Sequence, residues 1–343
     1  MPEYTLGLFA NMYPAFDGDY KGIFIRQMVT DFESLGVVVK KAVKTSHSTA
    51  GYIPFYFDSL CLSRDRGLDL IQAEYIPHSS LIPYLFGRRD IPLVLKFHGD
   101  DARIYPFSNP LNRHITRAML KRAAYVITAS EEMQKPLLAH GLDPDRCATV
   151  HTGVDTRFFT TGSREEARRL LGLSMEKTTF LFVGRLHPWK GIYEILEAAR
   201  RCPNLDFVFV GPGVVPDHPQ NCRFTGQLPP SVVRRWLTAA DCFLLPTYTE
   251  AVPAAVMEAF ACGIPAITSD AGGCPEIVEE GKNGLMVPAR NAVALTSAIQ
   301  WMTDNPSERP RMGIEARKTV CERYDHTILI KKLMTIHQDL ITR

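Results

Sequence analysis

Two cations and two carboxylates stand at spacings that suit an anionic, sugar-bearing ligand. Arg185 and Lys190 lie in VGRLHPWKG, beyond an apolar strand-like run and just before Gly191, where a helix opens. A diphosphate presents several anionic oxygens, which a forked guanidinium, a point-charge ammonium and helix N–H groups bind together. A solvated pair of surface charges would show the same spacing. Glu250 and Glu258 lie in TEAVPAAVMEAFACG. With the helix opening near Val252 and a rise of about 1.5 Å per residue, they stand about 12 Å apart along its axis, near the reach of a nucleotide-linked sugar. The first would bond sugar hydroxyls and the second a ribose diol, with the helix N-terminus facing the diphosphate between them. The bland alternative is an amphipathic helix carrying two carboxylates, with Glu250 complementing the helix dipole.

Three further places carry chemistry of the same kind. FHGDD sets His98 at a strand end, where a lone histidine is more often a structural hydrogen bonder than a catalyst, and FDGDYKG sets Gly22 at the opening of the first helix. In SDAGGCPEIV, Gly272 and Gly273 follow a strand, where a backbone approaches something closely or a plain loop turns. Asp17 and Asp19 form an Asp-x-Asp pair, but Asp143 and Asp145 repeat it, so the pattern is cheap and no metal site is expected. There is no Walker loop and no nucleophile elbow, and VGPGVV lacks the third glycine of the dinucleotide fingerprint. The eight cysteines include no Cys-x-x-Cys pair, which argues against a zinc site and a disulfide framework.

These residues need a scaffold, and the chain supplies one by alternation. Apolar runs at 4–10, 37–39, 68–74, 91–99 and 124–130 are separated by segments long enough for helices. The pattern restarts at 179–184, 205–211, 241–246 and 264–269, so two parallel sheets covered on both faces are expected, with a junction between about Gly153 and Gly162. Ser163 and Glu166 read as a capping box beyond it. In open parallel sheets, ligands bind at the carboxyl ends of the strands, where the loops above lie.

The length of 343 residues suits two domains. Lys and Arg total 39 against 37 Asp and Glu, a net charge of +2 that implies no nucleic-acid partner. No stretch is apolar enough to span a bilayer and the start lacks a signal-peptide pattern, so a cytoplasmic protein is expected. LNRHITRAMLKRA, at 111–123, sets Arg113, Arg117 and Lys121 four apart on a basic amphipathic helix. It reads first as a helix covering the sheet, and second as a weak contact with the inner face of an anionic membrane. The aromatic run IPFYFDSL at 53–60 is expected in the core, with an acceptor or membrane patch as its other reading.

Taken in order, HGDD, HTGVDTRFF, VGRLHPWKG, LPTYTEAVPAAVMEAFACGIPAITSDAGGCPEIV and GKNGLMV resemble the retaining GT-B glycosyltransferases of family four. The resemblance covers nearly the whole chain and is most specific from about residue 179 to 288. It implies an α/β GT-B fold, with two Rossmann-like doubly wound domains facing across a cleft. Residues 1–155 would form the acceptor-side domain, 163–322 the domain that binds the nucleotide-sugar donor, and 323–343 a helix crossing back to the first. Arg185 and Lys190 resemble the family's diphosphate-binding cations, Glu258 its ribose-binding carboxylate, and Glu250 with Ala251, Val252 and Pro253 its donor-sugar segment. His98 resembles the histidine that approaches the donor sugar and its leaving phosphate. Gly22 matches the glycine-loop position, although Lys21-Gly22 replaces the usual Gly-Gly. His98, Glu250, Arg185 and Lys190 are thus the expected catalytic set. The implied reaction is retaining, metal-independent transfer from a UDP-, GDP- or ADP-sugar to a glycan, lipid-linked or small-molecule acceptor, in glycan, glycolipid or polysaccharide biosynthesis. A nucleotide-sugar epimerase and a catalytically silent nucleotide-sugar-binding subunit are the alternatives.

Overall fold

The computed structural model describes residues 4–16, 19 and 21–342. The chain divides into two compact units, one running to Thr152 and resuming at Thr327, the other spanning Gly153–His326. The first contains β1 (Thr5–Ala10), α1 (Ile23–Ser34), β2 (Val38–Val43), α2 (Tyr52–Ser63), β3 (Leu70–Glu74), α3 (Leu81–Phe86), β4 (Leu93–Phe97), α4 (Asp100–Arg103), α5 (Pro110–Arg122), β5 (Tyr125–Thr128), α6 (Glu131–Leu138) and β6 (Cys147–Thr149). The second contains α7 (Arg164–Leu171), β7 (Thr179–Val183), α8 (Ile192–Arg201), β8 (Asp206–Val210), β9 (Cys222–Gly226), α9 (Pro230–Ala239), β10 (Cys242–Leu245), α10 (Ala254–Ala261), β11 (Ala266–Ser269), β12 (Gly284–Val287), α11 (Ala292–Asp304) and α12 (Glu308–Arg323). The last helix, α13 (His326–Ile341), belongs from Thr327 onward to the first unit.

Every strand pairing is parallel, and each unit holds a six-stranded sheet. The order is β2-β1-β3-β4-β5-β6 in the first and β12-β11-β10-β7-β8-β9 in the second. Helices cover both faces of such sheets, so β3, β4 and β10 are buried along their whole length, as apolar runs without alternation require. β2 lies at an edge and carries Lys40 and Lys41, charges that discourage further pairing. In the first unit, Leu329, Ile330, Leu333 and Met334 of α13 join Ile25, Val29 and Phe32 of α1 over the apolar face formed by Leu6, Leu8, Leu70, Val94 and Ile127. Lys332 Nζ donates to the Thr149 carbonyl at 2.8 Å, which anchors α13 beside β6. Ser163 Oγ accepts the Glu166 amide at 3.1 Å and so starts α7 with a side-chain cap.

One sequence expectation needs correction. The 53–60 run is part of α2, and only Phe55 and Ser59 are buried from that stretch, while Ile53 and Phe57 stand 77% and 67% exposed. Helical periodicity turns consecutive aromatics to different faces, so one run serves both core and surface. No helix among the described residues is long and apolar enough to cross a membrane.

Candidate functional site

In the second unit, chain connections run outward from β7 through β8 to β9, then return to β10 on the other side of β7. That reversal opens a crevice between the loops that follow β7 and β10, where doubly wound folds bind ligands. The two loops are tied together there. Trp189's carbonyl accepts the Tyr248 amide at 2.7 Å and the Thr247 hydroxyl at 2.9 Å. Gly191 caps α8 with φ of 74°, and a Cβ there would lie 2.1 Å from the Pro246 carbonyl oxygen, so only glycine allows this approach.

Lys190 and Glu250 meet across this junction as an ion pair between Nζ and Oε2. The sequence treats them as separate contacts to phosphate and sugar, whereas the structure couples them. Each therefore orients the other, and a diphosphate arriving at Lys190 would share its ammonium with Glu250. The Glu250 carbonyl also accepts the Gly273 amide at 2.8 Å, which fixes the residue from the β11 side. Arg185 is exposed on the loop after β7 and has no carboxylate partner among the described residues. Its donors face solvent, available to an anion.

Ala251 and Val252 are half-buried and Pro253 is buried. The helix opens at Ala254, not near Val252, because Pro253 stands at its cap with φ −78° and ψ 70°. Glu250 therefore lies on the loop outside the helix, and an axial rise computed across 250–258 does not describe the pair. No side chain caps α10; the Ala254 amide donates to the Val252 carbonyl at 2.9 Å and those of Val256 and Met257 to the Pro253 carbonyl at 2.9 and 3.2 Å, which leaves the Ala255 N–H for a ligand or solvent. Glu258 is half-buried on α10, where burial pushes its carboxyl up to about 7 from 4.5. Near neutral pH it titrates, unlike an ordinary surface glutamate.

In the first unit, His98 follows β4, and its side chain is only 4% exposed. Nε2 pairs with Glu74 Oε2, and the ring packs 4.5 Å from Tyr75 and 5.1 Å from Phe24 between centroids. The backbone N–H groups of His98 and Gly99 are held by Asp101, at 3.0 and 2.8 Å. Gly22 caps α1 with φ of 72°, where a Cβ would meet the Met12 carbonyl oxygen at 2.5 Å. Asp17 lies outside the described residues. Asp19 accepts the amides of Ala15 and Lys21, both at 3.0 Å, and faces His47 Nε2 at 3.1 Å, so its oxygens brace the loop. Those backbone hydrogen bonds, from Ala15 first, hold its carboxyl below the usual range.

Several residues that shape these sites carry no sequence motif. Tyr248 Oη donates to Glu194 at 2.6 Å while the Arg290 guanidinium lies 4.7 Å over its ring, which braces the loop after β10 from behind. Glu74, Gln72 and Lys96 sit inside fully buried central strands, where polar residues are out of place. That misfit is the signal by which a sequence reader could find them.

The family profile described as Glycosyl transferases group 1 matches residues 163–319, and the one described as Glycosyltransferase Family 4 matches residues 26–158. A Bacillus subtilis protein named for a glycosyltransferase role in teichuronic acid biosynthesis, TuaC, is 30% identical over 269 residues, covering 76% of this chain and 68% of its own. The D-inositol 3-phosphate glycosyltransferase of Corynebacterium glutamicum is 31% identical over 213 residues, and the match spans 55% of this chain and about half, 51%, of that relative. Among solved structures, sucrose-phosphate synthase from Thermosynechococcus elongatus superposes with a TM-score of 0.83 over 99% of both chains at 19% identity. HepE of Anabaena, solved in complex with UDP-glucose, superposes with a TM-score of 0.78 at 18% identity, over 98% of this chain and all of that one, at 100%.

Proposed function

The chain belongs to the glycosyl transferases group 1, the family-4 glycosyltransferases of GT-B fold, and on that premise we propose that it moves a sugar from a nucleoside-diphosphate sugar to an acceptor hydroxyl, with retention of configuration and without a metal ion. The observation that carries this reading is the ion pair of Lys190 with Glu250 across the loops that follow β7 and β10, at the reversal of the sheet, with Arg185 exposed on the first of those loops and Glu258 one helical turn into α10. UDP-glucose in the HepE complex supports a donor of this class.

In the proposed step, the bond between the anomeric carbon and the diphosphate oxygen breaks as the acceptor oxygen bonds to that carbon on the same face. The acceptor's proton passes to the departing diphosphate. Arg185, Lys190 and the helix N-terminus stabilise the negative charge that grows on the leaving group, and Glu250 holds Lys190 while bonding sugar hydroxyls. Glu258 accepts the ribose diol. His98 approaches the donor sugar and the leaving phosphate, and the half-buried Ala251 and Val252 with buried Pro253 line the sugar's seat. The acceptor is a glycan, a lipid-linked glycan or a small molecule, in glycan or polysaccharide biosynthesis. The exposed Leu111, Arg113, Arg117 and Lys121 of α5 support peripheral contact with an anionic membrane surface on the cytoplasmic side.

The test is a thermal-shift panel of UDP, GDP, ADP and their common sugar conjugates, with and without EDTA, since a ligand of the folded state raises its apparent stability. A selective shift that EDTA leaves intact, joined to EDTA-insensitive turnover, is expected. No shift with any nucleotide would favour a silent subunit, and turnover lost to EDTA and restored by a divalent ion would refute the metal-free step.

A further inference from the structure

The first unit buries more polar chemistry than a sheet core requires. Gln72 and Glu74 on β3 are 0% exposed, and Lys96, the residue opposite Glu74 in the register with β4, is 4% exposed. Burial opposes the charge on Glu74, but Lys96 and the hydrogen bonds from His98 and Gln72 outweigh it and hold the carboxyl below its ordinary range. Charges are retained at such a depth only where they are paired and hydrogen-bonded. Here they form part of a continuous chain of contacts that begins on α13.

His337 of α13 is 0% exposed. Burial, with Lys96 adding to it, pushes its imidazole down to about 3, so the ring is neutral. A neutral ring has one donor and one acceptor. Tyr4 Oη lies 2.8 Å from Nδ1 and Gln72 Oε1 lies 2.7 Å from Nε2. The amide oxygen can only accept, so Nε2 carries the proton and Tyr4 donates to Nδ1. Gln72 Nε2 then donates to Glu74 Oε1, and Glu74 Oε2 is left to accept from His98 Nε2. Each member has a defined direction, and all of them converge on the Glu74 carboxylate. A carboxylate oxygen can only accept, so His98 must hold a proton on Nε2. Tyr75, at a positive φ of 63° that a bulky residue seldom adopts, sets its ring 4.5 Å from that of His98, with Phe24 packed beside it. Asp101 holds the backbone. Among the described residues, Glu74, Asp101 and Tyr75 are the ionisable groups in contact with this histidine, and Lys96 lies against Glu74.

We propose that Glu74, held in place by Gln72 and by His337 of α13, is a positioning residue for His98, setting the tautomer and ring orientation in which that histidine meets the donor. The inference rests on the role given to His98 under the proposed function. It also makes the last helix part of the site, since a residue 265 positions from Gln72 in sequence completes the chain.

Glu74→Gln tests it with little change of shape. One amide oxygen cannot accept from both Gln72 and His98 while its NH2 also finds an acceptor, so His98 is driven toward its Nδ1–H form. Ring-15N NMR of the histidine-labelled full chain, with His98→Ala to assign the signals, should show one Nε2–H tautomer in wild type and a mixture in Glu74→Gln. Turnover in that variant should fall at least about tenfold, with the donor KM little changed, as when a residue orienting a catalytic histidine is neutralised. His337→Gln, which can still accept from Tyr4 and donate to Gln72, should keep the wild-type tautomer, whereas His337→Leu should mix it. An unmixed Nε2–H signal in both Glu74→Gln and His337→Leu would overturn the proposal, as would wild-type turnover in Glu74→Gln alongside an inactive His98→Ala. Should Glu74→Gln not fold, the contrast between His337→Gln and His337→Leu decides. Wild-type turnover in His98→Ala would instead refute the role of His98 itself, whatever its tautomer.

Discussion

Glu258 offers the sharpest test of the proposed donor site, because its burial would make a ribose contact there a pH-dependent event. Its carboxyl titrates at about 7 in the free protein, and burial is the cause. A ribose diol donates hydrogen bonds, so it favours the ionised form and competes with the proton for the same oxygens. At pH 8 about nine-tenths of Glu258 is ionised and at pH 6 about one-tenth, so nucleotide affinity should weaken by about tenfold between them and by about another tenfold at pH 5. The nucleotide's own phosphates titrate in part of this range, and Glu258→Gln removes that ambiguity. The variant keeps an oxygen acceptor but no charge, so its pH slope should be that of the phosphates alone. Titration calorimetry across pH 5–8, in buffers of different ionisation enthalpy, measures both the slope and the proton released on binding. A second reading comes from stability. The folded-state pKa lies above the unfolded one, so the contribution of Glu258 is intact below about 4.5 and is lost as pH rises through about 7. At about 1.36 kcal/mol per pH unit, ionising it in the fold costs about 3 kcal/mol, so Glu258→Gln should stabilise the free protein at pH 8 but not at pH 4. Equal pH slopes in wild type and variant, or equal stabilisation at both pH values, would refute the assignment.

Three further outcomes follow from the geometry. Lys190→Ala should cut turnover by about two to three orders of magnitude, the loss typical of one electrostatic stabiliser of a developing anion. Because Lys190 and Glu250 are paired, the double variant with Glu250→Ala should lose less than the single effects combined, and strictly additive losses in turnover would show that the pair does not act as one. Reversing Arg113, Arg117 and Lys121 to Glu should abolish co-sedimentation with phosphatidylglycerol vesicles at low salt without changing binding to phosphatidylcholine. Equal sedimentation of wild type and variant would remove α5 from any membrane role.

Much of this protein is written in local pattern. Apolar runs such as TFLFVG and LDFVFVG, spaced by amphipathic segments, require parallel sheets covered on both faces, and β7 and β8 form as those runs predict. The loops after the strands, with Arg185, Lys190 and Glu250, are legible for the same reason, since a strand end is a local feature. Edge strands escaped that reading. CRFTG in β9 and CAT in β6 lie toward sheet edges, where partial exposure breaks the apolar run. The start of α10 was displaced by two residues because Pro253 took the cap, a choice made by backbone dihedrals rather than residue type. Partnership is the larger gap. Lys190 finds Glu250 across 60 residues, and His98 depends on Glu74, Gln72 and a histidine near the end of the chain. Residue types and spacing determined which groups could bind phosphate, sugar or protons. Only the folded structure decided which of them hold one another, because hydrogen bonds and burial join positions by distance in space, and no local periodicity encodes that.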